Sequence, residues 1–430
     1  MTGRAWPKSL LADVRPLRES PAFRRYWIGS AVSSIGGTMT GFAVMLQAFN
    51  LTHSSAAVGA IGLAEFIPVL LLGMFGGSFA DAVDRRRLVL VTTSSMTVVS
   101  ALFAVQAFLD LRQLWLLYAL AAAQAMLLAI DSPARRTFLP RLVPPDRLPG
   151  GVALTQLSGY VSFLIGPVLA GGITAAAGLR VCYLIDALSF GASLYSVARL
   201  PPMPPQGGIG RPGLKATLDG LRYIRSRPVV LAVLLADLDA TVLAMPVALF
   251  PAINAARFGG SPQTLGLLSG GLAVGGLIGS ALSGPAGRVS MKARAMLVMV
   301  VIWGAALAAF GLAHALWLAL LLLAVASAAD TTSVIFRGSI VQLATPDRFR
   351  GRVTAVDYVV GAGGPALGNV RAGAVAELTS PGFSALSGGL AAIAGAVVIR
   401  LVFPALARYD GSAEPAAPGP GTVAGTASLT

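Results

Sequence analysis

The sequence predicts an all-α integral membrane protein with twelve transmembrane helices in two pseudo-symmetric six-helix bundles. Three observations lead there. Hydrophobic residues make up 55% of the 430 residues and charged ones only 12%, about half the charged share of a soluble domain. Apolar runs of about 20 residues, the length that crosses a bilayer, recur twelve times. Of the 32 Lys and Arg residues, 28 fall in every second gap between those runs, the sorting that the positive-inside rule imposes.

The runs extend approximately over 26–50, 56–80, 88–109, 114–131, 152–177 and 181–199, then 229–254, 262–284, 294–312, 315–336, 353–378 and 383–405. The basic gaps hold Arg24 and Arg25, then Arg85 to Arg87, then Arg135, Arg136, Arg141 and Arg147. Next come Arg199 to Arg227, then Arg288, Lys292 and Arg294, then Arg337, Arg348, Arg350 and Arg352, and last Arg400 and Arg408. The alternate gaps are short turns, such as Thr52-His53-Ser54, Ala313-His314 and Ser380-Pro381. Short turns force antiparallel neighbours, so the chain runs up and down twelve times. Both termini then share the arginine-rich side, which the rule places in the cytoplasm, and 29 Arg against 3 Lys suggest a bacterial source, hence the expectation of a multi-pass protein of a bacterial cytoplasmic (inner) membrane.

The longest basic gap, 201–228, opens on Pro201-Pro202-Met203-Pro204-Pro205. It continues with Leu214, Leu218, Leu221 and Ile224 at helical spacing, a linker followed by an interfacial amphipathic helix. It separates bundles at 22–200 and 229–408, flanked by a cytoplasmic segment, 1–21, and a disordered tail, 409–430. The halves repeat: Leu142-Val-Pro-Pro-Asp-Arg-Leu-Pro-Gly-Gly-Val152 matches Leu343-Ala-Thr-Pro-Asp-Arg-Phe-Arg-Gly-Arg-Val353 at six of eleven positions, 201 residues apart. Both copies lead into the fifth helix of their half.

Several classes of function drop out. The net charge of +14 sits beside lipid headgroups, and no basic stretch interleaves aromatics, so nucleic acid is not a partner. The single cysteine, Cys182, builds no disulfide or thiolate metal site, and His53 and His314 have no metal-ligand spacing. The three lysines follow Pro7, Leu214 and Met291, so there is no phosphate-binding loop of an ATP-driven pump. A membrane-embedded enzyme lacks both a catalytic constellation and a soluble domain.

Gly76-Gly77-Ser-Phe-Ala80-Asp81-Ala-Val-Asp84-Arg85-Arg86-Arg87 closes the second run and opens the third. It resembles the loop signature of the major facilitator superfamily. That resemblance implies a conformational latch built on Gly77, Asp81, Asp84, Arg85 and Arg86. In the fifth run, Gly166-Pro167 and Gly171 resemble the antiporter motif of exporters in that superfamily. Ser132-Pro-Ala-Arg-Arg, Leu249-Phe250-Pro251-Ala252 and Arg350-Gly351-Arg352-Val353 resemble its branch that includes the bacterial enterobactin exporter, and the likeness covers Pro21 to about Pro404.

Ionisable residues inside a span face cavities or partners. Glu65, Asp237 and Asp239 lie near mid-membrane and are the candidates for proton coupling. Asp131, Asp330 and Asp357 lie nearer the arginine-rich ends, where capping or pairing with Arg337, Arg350 or Arg352 is expected. Arg371, late in the eleventh run, is the candidate contact for an anionic cargo. The resemblance implies a monomeric secondary transporter without cofactor, driven by an ion gradient, with protons the expected ion. It would export a small amphipathic molecule such as a siderophore, drug or other natural product by alternating access. Uptake by a symporter of the same fold is the alternative.

Overall fold

The computed structural model describes residues 13–73, 83–204, 214–282, 289 and 291–409. Twelve long helices run antiparallel within them. The first six are α1 Pro21–Thr52, α2 Ser55–Gly73, α3 Arg85–Phe108, α4 Leu114–Arg136, α5 Leu148–Ala177 and α6 Leu179–Ala198. The second six are α7 Pro228–Ala244, α8 Pro262–Ala281, α9 Lys292–Leu312, α10 Leu316–Ala344, α11 Asp347–Leu378 and α12 Pro381–Val402. Among the described residues there is no strand.

Ten of the twelve crossings are long and apolar enough to span a membrane by composition alone. The two that fall short do so for different reasons. α2 counts only as a shorter apolar helix, Ser55–Leu71. α11 has 32, but Arg350, Arg352, Asp357, Arg371 and Glu377 interrupt its apolar run.

Local chemistry sets the helix ends. Ser20, Ser261 and Ser380 each accept a backbone N–H three residues on, with proline next in sequence, which starts α1, α8 and α12. His53 closes α1 in the left-handed region, at φ 53°. α7 stops at Ala244, and the crossing resumes through Val247–Leu249 and Phe250–Arg257. At that break the Ala248 N–H donates to Asn369 Oδ1 on α11 at 3.0 Å, so the freed backbone keeps a partner.

Within each half, small residues bring the backbones together, as expected where lipid gives no hydrophobic drive between helices. A β-carbon at Gly29 of α1 would stand 2.6 Å from the Ala192 carbonyl of α6. The same relation joins Gly304 of α9 to Gly389 of α12. At the arginine-rich end, Arg15–Glu19 docks on the start of α5, where Arg147 Nε pairs with Glu19 at 2.9 Å. Nearby, hydrogen bonds from Arg15 hold the Asp13 carboxyl down at about 2. The linker helix Leu214–Arg225 takes the equivalent place in the second half. Its Tyr223 ring stacks 4.4 Å from Phe349, and Gly220 lies against Arg352. The apolar face read as lipid-facing is thus partly spent on covering the start of α11.

The halves meet along two helix pairs, α2 with α11 and α5 with α8. Close approaches occur at the short-turn end and reach mid-helix. Gly59 faces Asn369, and Gly62 faces Ala366 at 3.3 Å from a β-carbon position. Gly171 faces Pro262, and Gly266 faces Pro167.

Candidate functional site

Helical phase shows where the two halves separate. On α5, Leu164, Pro167, Val168 and Gly171 form the stripe against α8. Ala153, Gln156 and Leu157 continue that stripe toward the arginine-rich end, and all three are exposed. α2 changes in the same way. Val58 and Ile61 are buried, whereas Glu65, one turn beyond Ile61 on the same side, is exposed. That side lies between the face of α2 on α11, marked by Gly59, Gly62 and Phe66, and the face on α4, where Tyr118 donates to the Ala57 carbonyl. The outward side carries the exposed Ile67 and Leu71. Glu65 therefore stands where a cleft opens between the halves toward the arginine-rich end.

The acids of α7 separate, as their spacing of two residues requires. Asp237 pairs with Arg337 of α10, and Arg337 Nε also lies 3.6 Å from Asp357 of α11. The Asp237 side chain is 7% exposed and that of Asp357 29%. Asp239 points the other way, against Gly395 of α12, with Oδ2 buried and unbonded. It belongs to a helix interface and not to the cleft in this conformation. Asp237 reaches the cleft only as the closed partner of Arg337.

Arg371 likewise lies at a helix interface in this conformation. Its Nη2 lies over Gly388 of α12 and 3.4 Å from the Ser384 carbonyl. Gly364 and Gly368 pack on Thr241 of α7, while Gly363, Ala366 and Asn369 pack on α2. Arg371 lies on the α7 and α12 side of α11, away from the face that meets α2. The expected cargo contact is instead wedged in the second bundle.

Of the latch residues, Gly77 and Asp81 lie outside the described residues. Asp84 caps α3 by accepting the Arg87 N–H at 3.0 Å and also accepts the Met203 N–H at 2.8 Å. The Arg85 N–H returns a bond to the Met203 carbonyl at 3.0 Å. Arg86 donates to the Ala198 and Val197 carbonyls at the end of α6, at 2.5 and 3.3 Å. In this conformation Asp84 and Arg86 join α3 to the chain after α6, inside one half, and do not bridge the halves. Gly166 and Pro167 stand where the antiporter-like resemblance implies a close approach. Gly166 admits Thr38 of α1, and the Pro167 carbonyl lies 2.6 Å from a β-carbon position on Gly266.

Arg337, expected as a pairing partner for the acids, lies deeper than the sequence reading placed it. Grouped with the basic gap, it proves to lie inside α10, which continues seven residues further to Ala344, roughly 10 Å. The apolar stretch Ile340-Val341 after it was the available signal. Asn369 had no distinguishing signal.

Comparisons with known proteins agree with this architecture. The family model described as transmembrane secretion effector matches residues 11–422. The chain is 25% identical over 406 residues to the enterobactin exporter EntS of Citrobacter koseri, covering 94% of this chain and 96% of that protein. The same identity and coverage relate it to EntS of Escherichia coli O81. Among solved structures, the nucleoside transporter NupG superposes with a TM-score of 0.70 at 14% identity, over 90% of this chain and 99% of that one. A bacterial homologue of the iron transporter ferroportin does so at 0.66 and 16% identity, over 90% and 99%.

Proposed function

The chain belongs to the transmembrane secretion effector family of major facilitator transporters, and from that premise we propose that it exports a small amphipathic natural product by proton-coupled antiport. It is a membrane transporter and not an enzyme. The observation that carries the export reading is the likeness to the enterobactin exporters, and the cleft supplies a loading state for it. The halves are packed at the short-turn end and parted at the arginine-rich end, where Glu65 becomes accessible. With the arginines cytoplasmic, as the positive-inside rule requires, this is the state in which an exporter of the bacterial inner membrane loads its cargo. Both termini then lie in the cytoplasm. Glu65, a carboxylate on the cleft face with no ion-pair partner among the described residues, is the acid best placed to meet a proton there. The enterobactin exporters among its relatives favour a siderophore-like product.

Everted membrane vesicles with an acid interior test the reading, using enterobactin as probe. Protonophore-sensitive accumulation is expected, with Glu65→Gln reducing it at least tenfold at unchanged protein level. Accumulation in right-side-out vesicles instead would make the protein an importer.

A further inference from the structure

The packed short-turn end contains the same joint twice. A β-carbon on Gly171 of α5 would stand 2.5 Å from the Pro262 carbonyl at the start of α8. One on Gly373 of α11 would stand 2.5 Å from the Ser55 carbonyl at the start of α2. The two helix starts are also built alike. Ser261 Oγ accepts the Thr264 N–H at 3.2 Å, and its carbonyl accepts the Leu265 N–H at 3.2 Å. Ser54 Oγ accepts the Ala57 N–H at 3.1 Å, and its carbonyl accepts the Val58 N–H at 3.4 Å. Each serine serves the third and fourth N–H of its helix and not the second, which belongs to Gln263 in α8 and to Ala56 in α2.

The joints differ in one acid. Four positions after Gly171, α5 carries Ala175, whereas four positions after Gly373, α11 carries Glu377. Glu377 Oε1 accepts the Ala56 N–H at 3.3 Å, across the boundary between the halves. The Ser54 hydroxyl and the Ser55 N–H lie beside the same carboxylate. An acid of the second half thus sits on a helix start of the first. There the N–H groups lack partners within the helix, and the helix dipole presents its positive end. Ser54 already caps α2 as Ser261 caps α8, so Glu377 is not needed to start the helix.

We propose that Glu377 is a clasp between the halves that holds the short-turn end shut. This rests on the alternating-access part of the reading above, and not on export or proton coupling. The contact exists only while α11 touches the start of α2. When the short-turn end opens, Glu377 and the Ala56 N–H part and each returns to water. The closed short-turn end alone gains the charge-assisted hydrogen bond and the attraction of the helix end. The clasp therefore biases the protein toward the state open at the arginine-rich end. Glu377 is exposed, so water screens the contact and the bias is several-fold, not absolute. The joint of α5 with α8 relies on close packing alone.

The test measures conformation in lipid nanodiscs, so it needs no cargo. Spin labels at Arg180→Cys and His314→Cys stand at the short-turn end of opposite halves, both exposed and on neither α2 nor α11. The buried Cys182 is replaced by Ala. Wild type should show mainly the short distance. Glu377→Ala should raise the ratio of long to short distances about threefold or more, and Glu377→Gln, which keeps an acceptor without the charge, should fall between. Gly373→Ala is the control: its β-carbon meets the Ser55 carbonyl only when that end is closed, so the long distance should appear. A long distance in the control with an unmoved ratio in Glu377→Ala overturns the clasp and leaves alternating access intact. One distance in every variant, control included, overturns both. Should Glu377→Ala fail to fold, Glu377→Gln decides by the same ratio: a rise supports the clasp and an unmoved value overturns it.

Discussion

In the first half, Arg135 pairs with Asp131 one turn away on the same helix, α4. In the second half, Arg337 on α10 answers acids on α7 and α11. The first pair is balanced, one charge against one, and neighbouring hydroxyls complete it. Thr92 donates to Asp131 at 2.5 Å, and Arg135 donates to Thr93 at 2.6 Å. Asp131 is only 2% exposed. The second group spans three helices, has two acids for one arginine and leaves Asp237 Oδ2, Asp357 Oδ1 and Arg337 Nη1 without a hydrogen bond. A satisfied pair on one rigid element has nothing to gain from another arrangement. A group shared among three helices of one half is left with unbonded polar atoms. The comparison teaches that one helix can complete a buried charge pair with its neighbours' hydroxyls, whereas a group drawn from three helices leaves polar atoms unbonded.

The largest expected effect comes from breaking the balanced pair. Asp131→Ala leaves the Arg135 guanidinium largely buried without its partner, which costs about 3–5 kcal/mol. Thermal unfolding in detergent should show this as a large loss of stability with no special pH dependence. Replacing both residues with Met and Leu should recover much of it, because two well-packed apolar residues avoid the desolvation of both charges. If Asp131→Ala is as stable as wild type, the two halves do not differ in this way.

Much of this was legible in the sequence because the membrane imposes simple rules. Span length and arginine sorting reveal twelve crossings, and they do so even for α11, whose charges take it below the composition required of a span. Side-chain direction was not legible. Hydropathy places Arg371 and Asp239 at depth but does not say whether they face a cleft or another helix. That depends on crossing geometry, here set by Gly388 and Gly395 of α12, which leave room for both side chains. Arg337 was hidden because cations are expected at helix ends, and α10 runs on past it.

A smaller effect, on the seal between the halves, separates moving from fixed contacts. A β-carbon at Gly266 would stand 2.6 Å from the Pro167 carbonyl across the α5 and α8 interface. Gly266→Ala should penalise the packed short-turn end by about 1–3 kcal/mol, as overpacking does. Since only that conformation is crowded, the population should shift toward opening there. Labelling of a cysteine placed at Gln263 by a membrane-impermeant thiol reagent should rise about fivefold or more. Gly172→Ala, which meets nothing within 4 Å, should leave the labelling unchanged. Equal labelling in both variants would mean that the α5 and α8 contact is not part of the seal.

The smallest effect is expected at Asp239 and Arg371, the charges lodged in the interface of α7, α11 and α12. They lie over Gly395 and Gly388, seven residues apart on one face of α12, about 10 Å along its axis. At that separation they stabilise each other only weakly, and neither borders the cleft. Asp239→Asn keeps the shape of the side chain and removes a charge whose Oδ2 has no hydrogen bond. Transport rate and pH profile should therefore stay within about twofold of wild type, with stability equal or slightly raised. Arg371→Lys should leave the preference between anionic and cationic cargo unchanged, because its guanidinium meets the Ser384 carbonyl and not the cleft. A selective loss of anion transport in Arg371→Lys would return that residue to the substrate path. It would also require α11 to turn toward the cleft by nearly half a revolution during the cycle.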